Sequence, residues 1–272
     1  MGRMKLRKCK AVGEEMLRLI TRHDLPRSAA GLSYFLTLSF FPMLICLYTM
    51  LGSLFPAAEQ VRRFLAGLLP AETVGTIVDY LRYVSDNLST AMLVAALAVL
   101  ATASSAAFRT ISGVVTAMRG RKRFTGCLEI AFSFAFSVVF LAAVYIAAIL
   151  IVTGRWFLAA VDRNIMFMNI SGAWSWARFG LLFLLLFTII SGVYRLTAPK
   201  EERVRMLPGA AAASRALVVV SILFSAFISA SSRYPLVYGS LASLIIMMFW
   251  LYVCSLILFL GAALNIALEE TA

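Results

Sequence analysis

Residues 28–51 read SAAGLSYFLTLSFFPMLICLYTML. The stretch carries no charge and is long enough to cross a hydrocarbon core of about 30 Å as a helix. It also holds Ser or Thr at 28, 33, 37, 39 and 49, and Pro42 near its middle. In lipid each backbone polar group needs an internal partner, so a spanning segment is either a helix or a strand of a closed barrel. A barrel strand alternates polar with apolar residues over about ten positions. This run does neither, so it reads as a helix, and its length decides the fold class.

The pattern recurs along the chain. Six apolar runs, at roughly 30–55, 90–114, 127–152, 174–196, 209–231 and 239–264, predict an all-α polytopic membrane protein with six transmembrane helices. Composition agrees: the 272 residues are 62% hydrophobic and 14% charged, with a mean hydropathy of +0.91. Soluble domains have about 45–50% apolar and about 25% charged residues, so this chain cannot clothe itself in a polar surface. It reads as a single membrane domain over 1–272. A cleaved signal peptide does not account for the first run, which far exceeds an h-region of about 7–15 residues. Cys46 and Cys254 lie in apolar runs and Cys9 and Cys127 beside basic segments, which is no disulfide framework.

The formal charge of +12 invites a nucleic-acid reading, but its distribution explains it otherwise. The segment before the first run and the loops after the second and fourth, with their flanks, hold 18 of the 25 Lys and Arg. The other side holds Arg62, Arg63, Arg82, Arg155, Arg163, Arg178 and Arg233 over much longer loops. By the positive-inside rule both termini are cytoplasmic. Anionic headgroups are then the partners of the excess charge, and nucleic acid is not expected. The expected location is the inner (plasma) membrane of a bacterium, multi-pass.

Outside the spans, residues 1–27 form a cytoplasmic segment. In it Val12, Met16, Leu19 and Ile20 share one helical face against Glu14, Arg18 and Arg22, the pattern of an amphipathic helix lying on the membrane. In the first external segment apolar residues at 61, 64, 65 and 68, then at 74, 77, 78 and 81, have helical spacing on either side of Pro70. Such interfacial helices brace a bundle or gate a cavity.

Inside the spans, Ala29, Ser33 and Thr37 recur every four residues, and Ser214, Ser221, Ser225, Ser229 and Ser232 make a longer hydroxyl stripe. Ser104 and Ser105 sit beside a face of Ala98, Thr102 and Ala106. Pro42 cannot donate to the Leu38 carbonyl, which predicts a kink. Two readings stay open: small and hydroxylated residues let helices approach closely, or they line a hydrated path. None of the thirteen acids falls mid-span, and the one histidine, His23, lies outside. An ion-coupled carrier built on an intramembrane carboxylate is therefore not expected. Arg109 and Arg215 lie a few residues inside apolar runs and Arg195 ends one. They either snorkel to the headgroups or bind a phosphate or carboxylate head, whose oxyanions a guanidinium matches bidentately. No catalytic residue, metal site or cofactor is assigned: one His, no G-x-S-x-G, no C-x-x-C and no P-loop occur.

Specific strings add to this. SAAGLSYFLTLSFFPMLI in the first run, YRLTAP at 194–199, YGSLASLIIMMFWLYVCSLILFLGAALN at 238–265 and the basic segment after the second run resemble the YihY/BrkB family of bacterial inner-membrane proteins. The resemblance covers roughly residues 20–268 and implies a six-helix inner-membrane protein of unestablished activity, labelled at times a ribonuclease and at times a transporter. The residue inventory speaks against the ribonuclease label. Where many members carry an acid after GA in the last span, this chain has Ala263, whereas Asn265 matches the pattern and offers a polar contact. The resulting expectation is a non-enzymatic protein that transports or translocates an amphipathic or anionic molecule, such as a lipid or envelope precursor. Arg109, Arg215 and Arg195 would receive its head, Ser33, Thr37, Ser221, Ser225 and Asn265 would line its way, and Pro42 would permit bending. The alternative is a membrane scaffold or assembly factor whose stripes only pack.

Overall fold

The computed structural model describes residues 2–51, 62, 71–87, 89–120, 131–135, 138, 142, 170–197, 206–230 and 242–271. Seven helices organise them: α1 (Gly2–Arg22), α2 (Leu25–Leu51), α3 (Ala71–Asn87), α4 (Thr90–Arg119), α5 (Ile170–Thr197), α6 (Leu207–Ala230) and α7 (Ala242–Glu270). Among the described residues there is no strand.

Among the described residues four segments are long and apolar enough to cross a membrane: Leu25–Cys46, Thr90–Arg119, Leu207–Phe224 and Leu244–Glu270. They correspond to the first, second, fifth and sixth expected spans. The fourth expected span falls on α5, whose described apolar part is the shorter Phe183–Thr197. The third, at 127–152, lies outside the described residues apart from the helical stretch 131–135 and residues 138 and 142. Helix α4 overshoots its expected limit: its thirty residues make about 45 Å, well beyond an apolar core of about 30 Å.

Local chemistry sets several ends. Ser89 caps α4, its Oγ accepting from the Met92 N–H at 3.2 Å. At the other end Gly120, at φ +70°, turns left-handed and its N–H reaches the Thr116 carbonyl at 2.9 Å, a helix stop that favours glycine. Pro42 sits inside α2, which continues past it to Leu51. The rung that Pro42 removes belongs to Leu38, whose side chain is exposed, so the gap lies on the outer side of the helix rather than against its neighbours.

Helix α1 departs from the sequence expectation in what it covers. The apolar face was correctly located, with Leu19 buried and Met16 and Ile20 half-buried, but α1 rests against α7 and α2 and Leu19 joins the main core. An apolar stripe fixes which side of a helix leaves water, and an adjacent helix end satisfies it as well as lipid does. In α3 the expected face is also the covered one: Val74, Ile77, Val78 and Leu81 are all buried. Val84 joins Ile45 and Cys46 of α2 and Ala96 and Leu100 of α4 in a second core, and Phe41 meets Tyr80 edge to face at 5.0 Å. Helix α3 therefore braces the bundle.

The main core gathers Leu19, the start of α2, the C-terminal halves of α4, α5 and α7 and the N-terminal half of α6. These parts define one end of the bundle, the basic end. The second core, and a third of Phe224, Ile246 and Trp250, lie toward the other. Helices α4 and α5 both run toward the basic end, so Gly120 and Ile170 are at opposite ends. Outward, Val94, Leu97 and Val99 of α4, Ile222 and Leu223 of α6, and Ile245, Met248 and Phe249 of α7 are exposed. An apolar coat on several spanning-length helices is stable facing lipid, where exposure costs no hydration.

Candidate functional site

The polar groups that the fold brings together lie at the basic end, where α4, α5, α6 and α7 converge. Helix α6 meets α7 at glycines. A Cβ on Gly209 would stand 2.1 Å from the Gly261 carbonyl oxygen, and one on Gly261 would stand 2.5 Å from the Tyr194 hydroxyl and 2.8 Å from the Ala213 Cβ. Only glycine lets the two backbones approach this closely. Asn265, one turn beyond Gly261, is buried against the first turn of α6. Its Oδ1 accepts from the Gly209 N–H at 2.7 Å, and its Nδ2 donates to the Met206 carbonyl at 2.9 Å. The first N–H groups of a helix lack partners within it, and here a side chain from α7 serves as the cap. The Tyr194 hydroxyl, fully buried, donates to the Leu258 carbonyl and ties α5 to the same place.

An ion pair closes the end. Arg119, at the last turn of α4 and 7% exposed, approaches Glu269 of α7 at 3.3 Å, and its second guanidinium nitrogen lies 3.5 Å from the Met206 sulfur. Met206 thus touches both Asn265 and Arg119. Beyond the bundle's apolar part, burial and neighbouring Arg22 hold His23 below the usual imidazole range, so at neutral pH it adds no charge here.

The expected site residues divide sharply. Asn265 is buried, and its oxygen and one amide hydrogen are committed to Gly209 of α6 and to Met206 just before it, so it caps α6 from α7. Ser33 and Thr37 turn their hydroxyls back to carbonyls of their own helix, Ala30 and Ser33, each at 2.8 Å. Ser214 at the head of the α6 stripe does the same to Ala210 at 2.8 Å, and Ser39 and Ser255 follow suit. Ser221 is half-buried. The side chains of Ser225, Ser229 and Ser232 lie outside the described residues. Arg109, Arg195 and Arg215 are exposed on three different helices. Arg109 precedes Arg119 by about 15 Å of helix and Arg215 follows Met206 by about 13 Å, so the two lie at similar depth. Among the described residues no acid pairs with either, and no three His, Cys, Asp or Glu are grouped as metal ligands.

Arg119, Glu269, Met206, Gly209, Gly261 and Tyr194 were not singled out by the sequence. The four-residue steps from Gly209 to Ala213 and from Gly261 to Asn265 carry the small-residue spacing of close membrane crossings, which could have located the contact. Nothing local links Arg119 to a carboxylate 150 residues away.

The family model described as virulence factor BrkB matches residues 16–272. A Bacillus subtilis (strain 168) protein, YfkH, described as ribonuclease-like, is 27% identical over 267 residues, covering 94% of each chain. A UPF0761 membrane protein of Vibrio parahaemolyticus is 26% identical over 276 residues, 96% of this chain and 83% of the relative. One from Vibrio campbellii is 28% identical over 280 residues, 94% and 81%. No solved structure matches.

Proposed function

Because the chain belongs to the virulence factor BrkB family, whose relatives here are named membrane proteins, we propose that it is a multi-pass inner-membrane protein that translocates an anionic amphipathic molecule, of the class of lipids or envelope precursors. It acts as a carrier, without catalysis. The observation that carries this reading is the pair of exposed arginines, Arg109 and Arg215, set at one depth into apolar helices without a described acid as partner. A guanidinium there meets phosphate or carboxylate heads at the cytoplasmic leaflet, and the oxyanion fits it bidentately. Ribonuclease-like belongs to the name of the Bacillus relative, and the residues of this chain lend it no support. Neither the single His23 nor any described group of acids offers the acid, base or metal ligands that RNA cleavage uses.

Native mass spectrometry in mild detergent tests the reading, with wild type beside the Arg109→Ala/Arg215→Ala variant. A discrete anionic lipid retained by the wild type and lost from the variant is the expected result. Identical ligands in both, or none in either, would leave the arginines as anchors. A second reading, a scaffold or assembly factor, is favoured by the hydroxyls of Ser33, Thr37 and Ser214. Bonded within their own helices, they leave the surfaces between helices suited to dry packing.

A further inference from the structure

Two hydroxyls break that rule. Ser104 and Ser105 of α4 are 5% and 1% exposed, and neither Oγ has a hydrogen-bond partner among the described residues. Their position is specific. Helices α2 and α4 form the most extensive pairing in the bundle, and two apolar cores fix its register. Ile45 and Cys46 join Ala96 and Leu100 in one core, while Ala29 and Leu32 join Ala107, Ile111 and Val115 in the other. The helices are therefore antiparallel, and the stretch of α4 between the cores lies level with the stretch of α2 from Ser33 to Phe41. There α4 carries Ser104 and Ser105, and α2 carries buried Ser33 and Ser39. A belt of hydroxyls separates the two cores.

A buried hydroxyl without a partner costs about 1–3 kcal/mol, and two adjacent ones in one helix are not a packing requirement, since alanine occupies the same space. Buried polar groups in native proteins are bonded to protein or to ordered water, and a water is held where two to four polar groups converge. We propose that Ser104 and Ser105, facing the Ser33 and Ser39 level of α2, form an intramembrane site that holds ordered water. Each serine hydroxyl donates to the bound water and retains lone pairs that a second donor can use. The α2 hydroxyls, which donate to their own helix, accept from the other side. The site does not depend on the headgroup reading, because a scaffold must satisfy its buried hydroxyls as a carrier must.

X-ray hydroxyl-radical footprinting of the full-length protein tests this, since a bound water becomes the radical where it sits. Phe108, one turn from Ser104 and 1% exposed, is compared with Phe259, 0% exposed in the main apolar core. The expected result is oxidation of Phe108 several-fold faster than Phe259, falling to the Phe259 rate in Ser104→Ala/Ser105→Ala. Equal rates in the wild type, or an unchanged Phe108 rate in the variant, overturn the proposal. Should the double variant misfold, Ser105→Cys and Leu100→Cys are labelled with a small hydrophilic thiol reagent. Leu100, 4% exposed, lies in the second core. Faster labelling at 105 supports the site, and equal labelling overturns it.

Discussion

At the crossing of α6 and α7 single atoms decide the distance between helices. Gly209→Ala puts a methyl 2.1 Å from a backbone oxygen that cannot swing aside, so the helices must separate, and with them go both Asn265 hydrogen bonds. Each group left unpaired costs about 1–3 kcal/mol. Gly113→Ala, in α4 with nothing within 4 Å of its new Cβ, is the control, expected to be neutral or stabilising by up to about 1 kcal/mol. Thermal unfolding in detergent is expected to show a large loss for the first and none for the second. Equal midpoints would mean that the crossing is not tight. At this scale the sequence was least informative. Asn265 stands out only through the family pattern of the last span, but the groups that saturate it, Gly209 and Met206, come from the start of α6 and the residue before it, and no local pattern names a partner more than fifty residues away.

Elements were far more legible, because a helix announces its buried side by spacing alone. The 74, 77, 78, 81 pattern of α3 and the Met16, Leu19, Ile20 face of α1 both turned out to be the covered sides. The identity of the cover was not legible, since an amphipathic pattern is the same whether lipid or protein answers it. That α1 belongs to the bundle yields an expectation. Leu19→Asp buries a carboxylate in the main core, which disfavours docking strongly. Amide exchange by mass spectrometry should then rise across residues 11–22 while α4 stays protected. If exchange in α1 is unchanged, its contacts with α7 contribute little. The hydroxyl stripes were equally visible, but their meaning lay in rotamers: whether a serine bonds its own helix or awaits another partner is decided by one torsion that spacing does not encode.

For the whole molecule, apolar length located the helices, and α2, α4, α6 and α7 have the span expected of them. The charge count made a further claim, that the basic end is cytoplasmic. A cysteine introduced at Gly120, at the exposed end of α4, is expected to react with a membrane-impermeant thiol reagent only after the cells are opened, in a background without the four native cysteines. One at Ser89, the exposed cap at the opposite end, should react in intact periplasm-accessible cells. The reverse pattern would invert the protein and move Arg109 and Arg215 to the outer leaflet.

The bond between Arg119 and Glu269 also has a history. The ribosome makes Arg119 first and Glu269 150 residues later, after α5, α6 and nearly all of α7. Through that interval the Met206 sulfur can already reach the guanidinium, but the carboxylate that ties α4 to the end of α7 does not yet exist. Forming this ion pair is thus among the last events of biogenesis, and a nascent chain stalled before Glu269 would lack the salt bridge that joins α4 to the end of α7.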